Sequence, residues 1–234
     1  MITRDAVVPL LKTVPYFAGL DPDVLKTVAA RCQSKAFPAG RLVFMEGDPC
    51  RDLYILESGR VKFYRTSAEG REQILKVFTR PGDTFCIPSA FSSGRHIVSA
   101  RAVTETQVRL LDVDTVNRLT QEHPSMALKL IATAGDHMTH LVALAEDLSL
   151  KSATTRLAKY LYELAVAEGA ETRQEFRLSR DRLREEDLAS LLGAVRVHIS
   201  RSLTNLARLG AIDLNRGFIR IRDLTVLKQI TEGK

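Results

Sequence analysis

An α+β chain is predicted, with an antiparallel β-roll first, one long helix in the middle and a helix-turn-helix carrying a β wing at the end. Three observations carry that prediction. Residues 36 to 112 break into short apolar or alternating runs separated by turn residues; apolar residues then recur at gaps of three and four from Pro124 to Leu150; two short amphipathic segments finally flank Gly193. Alternation is the mark of half-buried strands and the three-four spacing that of a helix face.

The β region contains RLVFMEGD, LYILESGRVKFYRT, QILKVFTRPGD and VSARAVTETQVRLLDV, punctuated by Gly40, Gly47, Gly59, Gly70 and Gly82. Such punctuation suits a β-roll or a β-sandwich. Ahead of it, DPDVLKTVAARC has Asp21 placed to cap a short helix whose first residue is Pro22. Behind it, DVDTVNRLTQEH reads as another short helix, and Pro124 opens the long one. Along that helix Ala127, Leu130, Ala134, His137, Leu141, Leu144 and Leu148 form an a/d seam of about three heptads, the pattern of a parallel dimer. A second stripe, Ile131, Met138, Val142 and Ala145, is expected to pack on the β domain. KSATTRLAKYLYELAVAEG continues as an amphipathic helix ended at Gly169; a polar stretch follows, in which EFRLS reads as a small strand. The boundaries expected are therefore 1–123 for the β-roll with its flanking short helices, 124–150 for the long helix and 151–234 for the C-terminal module.

Composition narrows the class. No run approaches the length of a membrane span, and the start MITRDAVVPLLKTV is charged where a secretory leader needs apolar residues, so a cytoplasmic location with no membrane partner is expected. Cys32, Cys50 and Cys86 are widely separated, which spells neither a disulfide framework nor a zinc knuckle. Lys and Arg exceed Asp and Glu by 16 to 11 in residues 151–234 and by 18 to 17 before them, so the net charge of +6 sits almost entirely in the last third. A basic C-terminal module suits a polyanionic partner. Enzymatic chemistry is not expected, because no nucleophile-base pair, metal triad or phosphate-binding glycine loop stands in a suitable context.

Residues 185 to 221 carry the functional signal. Glu185–Leu192 and Arg196–Leu209 read as the two helices of a helix-turn-helix, with Gly193 in the turn and Gly210 closing the second. Ile199, Leu203, Leu206 and Leu209 form the buried stripe of the second helix, which leaves Arg196, Val197, His198, Ser200, Arg201 and Asn205 outside. Arginine can fork onto guanine O6 and N7, valine can touch a thymine methyl, and serine or asparagine can reach base edges or phosphate. AIDL, the turn NRG and FIRIRDL follow as a two-stranded wing that offers Arg216, Arg220 and Arg222 to the DNA backbone. Double-stranded DNA is the expected partner; an effector-binding module acting on protein partners is the alternative.

The order of parts resembles the bacterial CRP/FNR superfamily of transcription regulators over essentially the whole chain. The resemblance rests on FPAGRLVFMEGD at 37–48, LYILESGRVKFYR at 53–65, PGDTF at 81–85 and LASLLGAVRVHISRSLTNLARLGAI at 188–212. It implies a cyclic-nucleotide-binding-domain-like β-roll and a homodimer on a palindromic operator, with RNA polymerase as a further partner. The family's base-reading positions then fall on Arg196, Val197, Ser200 and Arg201. Most members have glutamate where this chain has Val197, so the operator is expected to depart from the family consensus at the base pair facing it.

The segment GDTFCIPSAFSSGRHIV at 82–98 is the expected effector loop, with Cys86, Ile87, Pro88, Ser89, Arg95 and His96 as its candidate residues. By the resemblance, Cys86–Pro88 stands where cyclic-nucleotide binders keep a glutamate for the ribose, and His96 and Ile97 where they keep an Arg-Ser pair for the phosphate. Cyclic AMP is therefore not expected, and an iron-sulfur cluster is set aside because four cysteines are needed. Haem is the cofactor kept open, with Cys86 and His96 as candidate ligands, His137 beside them, and a regulator with no ligand at all as the remaining option. Pro88, which stands where the carbon-monoxide-sensing branch has a histidine ligand, cannot bind iron.

Overall fold

The computed structural model describes residues 7–169, 176–179 and 183–232. The remainder of the polar stretch, 170–175 and 180–182, and the opening MITRDA lie outside the described residues. Two compact units form: 1–65 with 75–141, and 66–74 with 142–234.

The first unit begins with helices α1 (Val7–Thr13) and α2 (Pro22–Arg31). Asp21 caps α2 as expected, its carboxylate accepting the Asp23 N–H at 2.9 Å. Strands β1 (Gln33–Phe37), β2 (Leu42–Phe44), β3 (Asp52–Ser58), β4 (Val61–Thr66), β5 (Glu72–Phe78), β6 (Thr84–Phe85), β7 (Ser99–Ala102) and β8 (Thr106–Asp112) follow, with a short helix α3 (Ile87–Phe91) after β6. They build two four-stranded sheets, in the orders β1-β8-β3-β6 and β2-β7-β4-β5. The pairings recorded are antiparallel.

Strands β3 and β8 are covered on both faces: Leu53, Ile55 and Leu111 pack with the flanking helices, and Leu56 and Val108 pack with the strands across the roll. Register is reinforced where Arg109 of β8 forks onto Glu57 of β3, its Nε and Nη2 donating at 2.8 and 2.9 Å. Gly59 turns β3 into β4 at φ +89°, in a space where a Cβ would strike the Glu105 carbonyl and Thr106.

Helix α4 (Val113–Glu122), capped by Asp112, leads to α5 (Pro124–Leu150). The two stripes of α5 are buried differently from the expectation. Leu130 joins the core of the first unit with Met126, and His137 turns its ring towards Phe78, 6.4 Å between centroids. Burial draws the His137 pKa down, and nearby Lys76 acts in the same direction. His140 Nε2 lies 2.9 Å from the Leu75 carbonyl, and Lys129 Nζ donates to the Ala18 carbonyl, so this part of α5 is docked on its own β-roll. Ile131 and Met138, each 68% exposed, and Val142, 63% exposed, face outward instead. Of the seam proposed from spacing, Leu130, Ala134 and His137 are therefore committed inside the chain, Leu141 is exposed, and Leu144 and Leu148 are half-buried.

The second unit holds α6 (Ala153–Ala167), β9 (Phe176–Ser179), α7 (Glu185–Leu192), α8 (Arg196–Arg208), β10 (Ile212–Leu214), β11 (Phe218–Ile221) and α9 (Leu224–Thr231). Its core gathers Leu157 and Leu161 of α6, Leu188 and Leu192 of α7, Ile199, Leu203 and Leu206 of α8, and Ile219 of the wing. The wing gains a strand over the expected ribbon, since β9 pairs with β11 to make the order β10-β11-β9. Among the described residues, no helix is long and apolar enough to cross a membrane.

Candidate nucleic-acid interface and effector loop

The turn between α7 and α8 is set by Gly193, whose φ of 58° and ψ of 44° lie in the left-handed region. A Cβ there would also collide with the Leu148 side chain and crowd Gln73. Arg156 of α6 fixes the same turn from beneath: its Nε donates to the Leu192 carbonyl at 2.7 Å and its Nη2 to the Gly193 carbonyl at 3.3 Å. Its Nη1 reaches back to the carbonyls of Lys151, at 2.5 Å, and Asp147, at 3.3 Å. One guanidinium thus ties the end of α5 to the end of α7. Spacing in the sequence gave no sign of it.

On α8, Arg196, Val197, His198, Ser200 and Arg201 are exposed and Asn205 is half-buried. Ile199, Leu203 and Leu206 are buried, but Leu209 is the C-cap residue beyond the helix and is 50% exposed, because the helix ends at Arg208 and the apolar stripe ends with it. Ser202 takes the fourth inward place, its hydroxyl 3.0 Å from that of Thr154. Arg196 is held by Glu185 and Glu186 at the start of α7, at 3.2 and 3.0 Å. Asn205 accepts a hydrogen bond from Arg208 at 3.0 Å. A surface groove runs along this face, lined by Thr154, His198, Arg201, Asn205 and Arg208. In the wing, Arg216 is exposed at the tip, whereas Arg220 and Arg222 are drawn onto Asp213, the latter at 3.5 Å.

The effector loop is more ordered than its composition predicts. Ile87 and Ser89 are buried within α3, Pro88 is exposed, and Ser89 Oγ accepts the Ile97 N–H at 3.4 Å. Arg95 is exposed and donates to the Gly47 carbonyl at 2.8 Å, while Ile97 faces solvent. No carboxylate stands at 86–88, and the Arg95 guanidinium is bonded to the backbone of Gly47.

Cys86 and His96 are deeply buried rather than solvated, and Cys50, not singled out from the sequence, lies with them. Cys86 Sγ is 3.6 Å from His96 Nδ1, and the His96 ring stacks on Phe44 with 3.6 Å between centroids at 7°. The hydrogen bond with Cys86 leads in drawing the Cys50 thiol down to about 5, while burial holds that of Cys86 well above its usual range. Cys32 lies elsewhere, half-buried, its thiol pushed up by burial to about 11.

Comparison with known proteins places this architecture. Residues 34–123 match the cyclic nucleotide-binding domain and residues 155–230 the Crp-like helix-turn-helix domain. A CRP-like cAMP-activated global transcriptional regulator of Mycobacterium tuberculosis is 30% identical over 218 residues, which span 93% of each chain. The chain belongs to the CRP/FNR family. The cyclic AMP receptor protein of Thermus thermophilus is 29% identical to this regulator, covering 95% of it and 99% of the relative. FixK2 from Bradyrhizobium japonicum shares the fold, with a TM-score of 0.71 at 23% identity over 85% of this chain and 96% of its own. The CRP/FNR regulator TTHA1359 of Thermus thermophilus shares it with a TM-score of 0.65 at 24% identity, over 86% and 98%. This is a transcription regulator with a helix-turn-helix DNA-binding domain, and not an enzyme.

Proposed function

We propose that this regulator acts as a homodimer on a two-fold symmetric operator, reads bases with Arg196, Val197, Ser200 and Arg201 of α8, and answers to an effector other than cyclic AMP. Residues 151–234 form the DNA-binding domain in this reading, 124–150 the dimerisation helix and 1–123 the sensing domain. The observation that carries it is the outer face of α8: Arg196, His198, Ser200 and Arg201 are exposed at the N-terminal end of a helix with no side-chain cap, backed by an inner face that is apolar apart from Ser202. His198, Asn205 and Arg216 serve as supporting contacts to phosphate or base edges. RNA polymerase is the further partner, and the cytoplasm the place of action.

Fluorescence anisotropy with a labelled palindromic duplex tests the assignment. Binding is expected to weaken steeply with salt, to be unchanged by cyclic AMP, and to fall about 5- to 150-fold on Arg201→Ala, the span of one lost base contact of about 1–3 kcal/mol. Equal binding by Arg201→Ala and Arg196→Ala would favour a module that acts on protein partners.

A further inference from the structure

Three donors from three separate segments converge inside the β-roll. Cys50 stands just before β3, Cys86 at the junction of β6 and α3, and His96 in the turn before β7. One ligand atom from each lies within 4.8 Å of the other two. The residues are only 6%, 3% and 4% exposed. A tetrahedral zinc ion, with sulfur at about 2.3 Å and nitrogen at about 2.1 Å, sets those two atoms about 3.6 Å apart. Cys86 Sγ and His96 Nδ1 are separated by 3.6 Å.

The backbone supplies an independent observation. Eleven described residues have positive φ; ten are glycine, and the other is Cys86, at φ 80°. Glycine adopts that conformation freely and a side chain does so under strain, which is characteristic of positions where a functional group is required. Here the strained side chain aims its sulfur at Cys50 and His96. Stacking on Phe44 holds the His96 ring plane. Backbone bonds from Gly47 N–H to the His96 carbonyl, at 2.7 Å, and from Cys50 N–H to the Gly94 carbonyl, at 2.8 Å, hold the two loops together.

We propose that Cys50, Cys86 and His96 form a mononuclear site for a thiophilic divalent ion of the zinc class, with a water or small anion in the fourth position. On binding, both sulfurs coordinate as thiolates, their protons passing to solvent, and the ion sheds water. Two thiolates and a neutral imidazole cancel a double positive charge, which suits a core where a residual charge is costly. A haem iron offers protein ligands only the two positions on opposite faces of its ring, so three donors around one point cannot all serve it. An ion here would staple the loop at 92–98 to the entrance of β3. Use of that staple as the effector response rests on the regulator reading above; the metal site does not.

The full chain, reduced and stripped with a chelator, is titrated with Zn(II) against a chromophoric competitor, and with Co(II) as a spectroscopic probe. One ion per chain is expected, with thiolate-to-cobalt charge-transfer bands and the visible bands of a tetrahedral ion. Cys50→Ala should weaken binding by about a hundredfold or more, beyond the loss usual for residues that only support a ligand. Cys86→Gly should do the same while folding well, because its backbone is already in a glycine conformation; a circular dichroism melt checks this. Substoichiometric binding, or wild-type affinity in both folded variants, would overturn the site. So would a Soret band formed with added haem that Zn(II) fails to suppress and Cys86→Gly abolishes. Operator binding in the same samples reads the regulator assignment separately.

Discussion

Val197, 57% exposed on the outer face of α8, brings methyl groups and no hydrogen-bonding atom to a surface otherwise made of donors. Its neighbour Arg196 is held by Glu185 and Glu186 on the surface, where ion pairs are worth about 0–1 kcal/mol, so exchange onto guanine or phosphate costs little. Val197 has no such flexibility: it can meet a thymine methyl but cannot accept from cytosine. Selection of operators from a randomised library is expected to return thymine at the position facing Val197. Val197→Glu should shift that position to cytosine by about 1–3 kcal/mol of discrimination. The same base recovered with both proteins would remove Val197 from the readout. Arg196, Val197, Ser200 and Arg201 were legible because a helical period places them on one face. Cys50 was not, since the site it shares with Cys86 and His96 is assembled by strand pairing across 46 residues and no local spacing announces it.

The α7–α8 turn depends on a residue from another helix. Arg156 satisfies four carbonyls at the ends of α5 and α7. Arg156→Ala would leave them partly unpaired in a half-buried setting and is expected to destabilise the chain by about 1–3 kcal/mol, with operator affinity falling as the turn loosens. Arg156→Lys should recover little, because a single ammonium cannot fork to both helix ends. Thermal melts and anisotropy on the two variants check this, and full rescue by lysine would show that charge alone suffices. The helices themselves were readable from caps and period: Asp21, Pro22, Pro124 and Gly193 each mark an end where the structure has one. Strand β1 was less visible because QSKAF is polar and mostly exposed, its place being decided by backbone pairing with β8. The stripes of α5 were seen but not which of them faces the β-roll, because both have three-four spacing and only the roll, with Phe78 facing His137, decides that.

At the scale of the whole molecule, α5 presents an outward row of Leu128, Ile131, Met138 and Val142, with Gly135 between and open space where its Cβ would be. Gaps of three and four along this row repeat the heptad geometry of a parallel pair, and a glycine at its middle allows two helix axes to approach closely. Side chains so exposed contribute little to the folded monomer, so removing their apolar character tests assembly without testing the core. The double variant Ile131→Glu, Met138→Glu is expected to melt within a few degrees of wild type and to sediment as a monomer, because four carboxylates would face one another across the seam. A palindromic operator is then bound by two independent half-site events instead of one bivalent event, and affinity should fall by about 10²- to 10⁴-fold. A half-site duplex should be bound equally by both proteins, which separates lost assembly from damage to α8. A dimer that persists in this variant at wild-type operator affinity would place the dimer contact away from the outward row of α5.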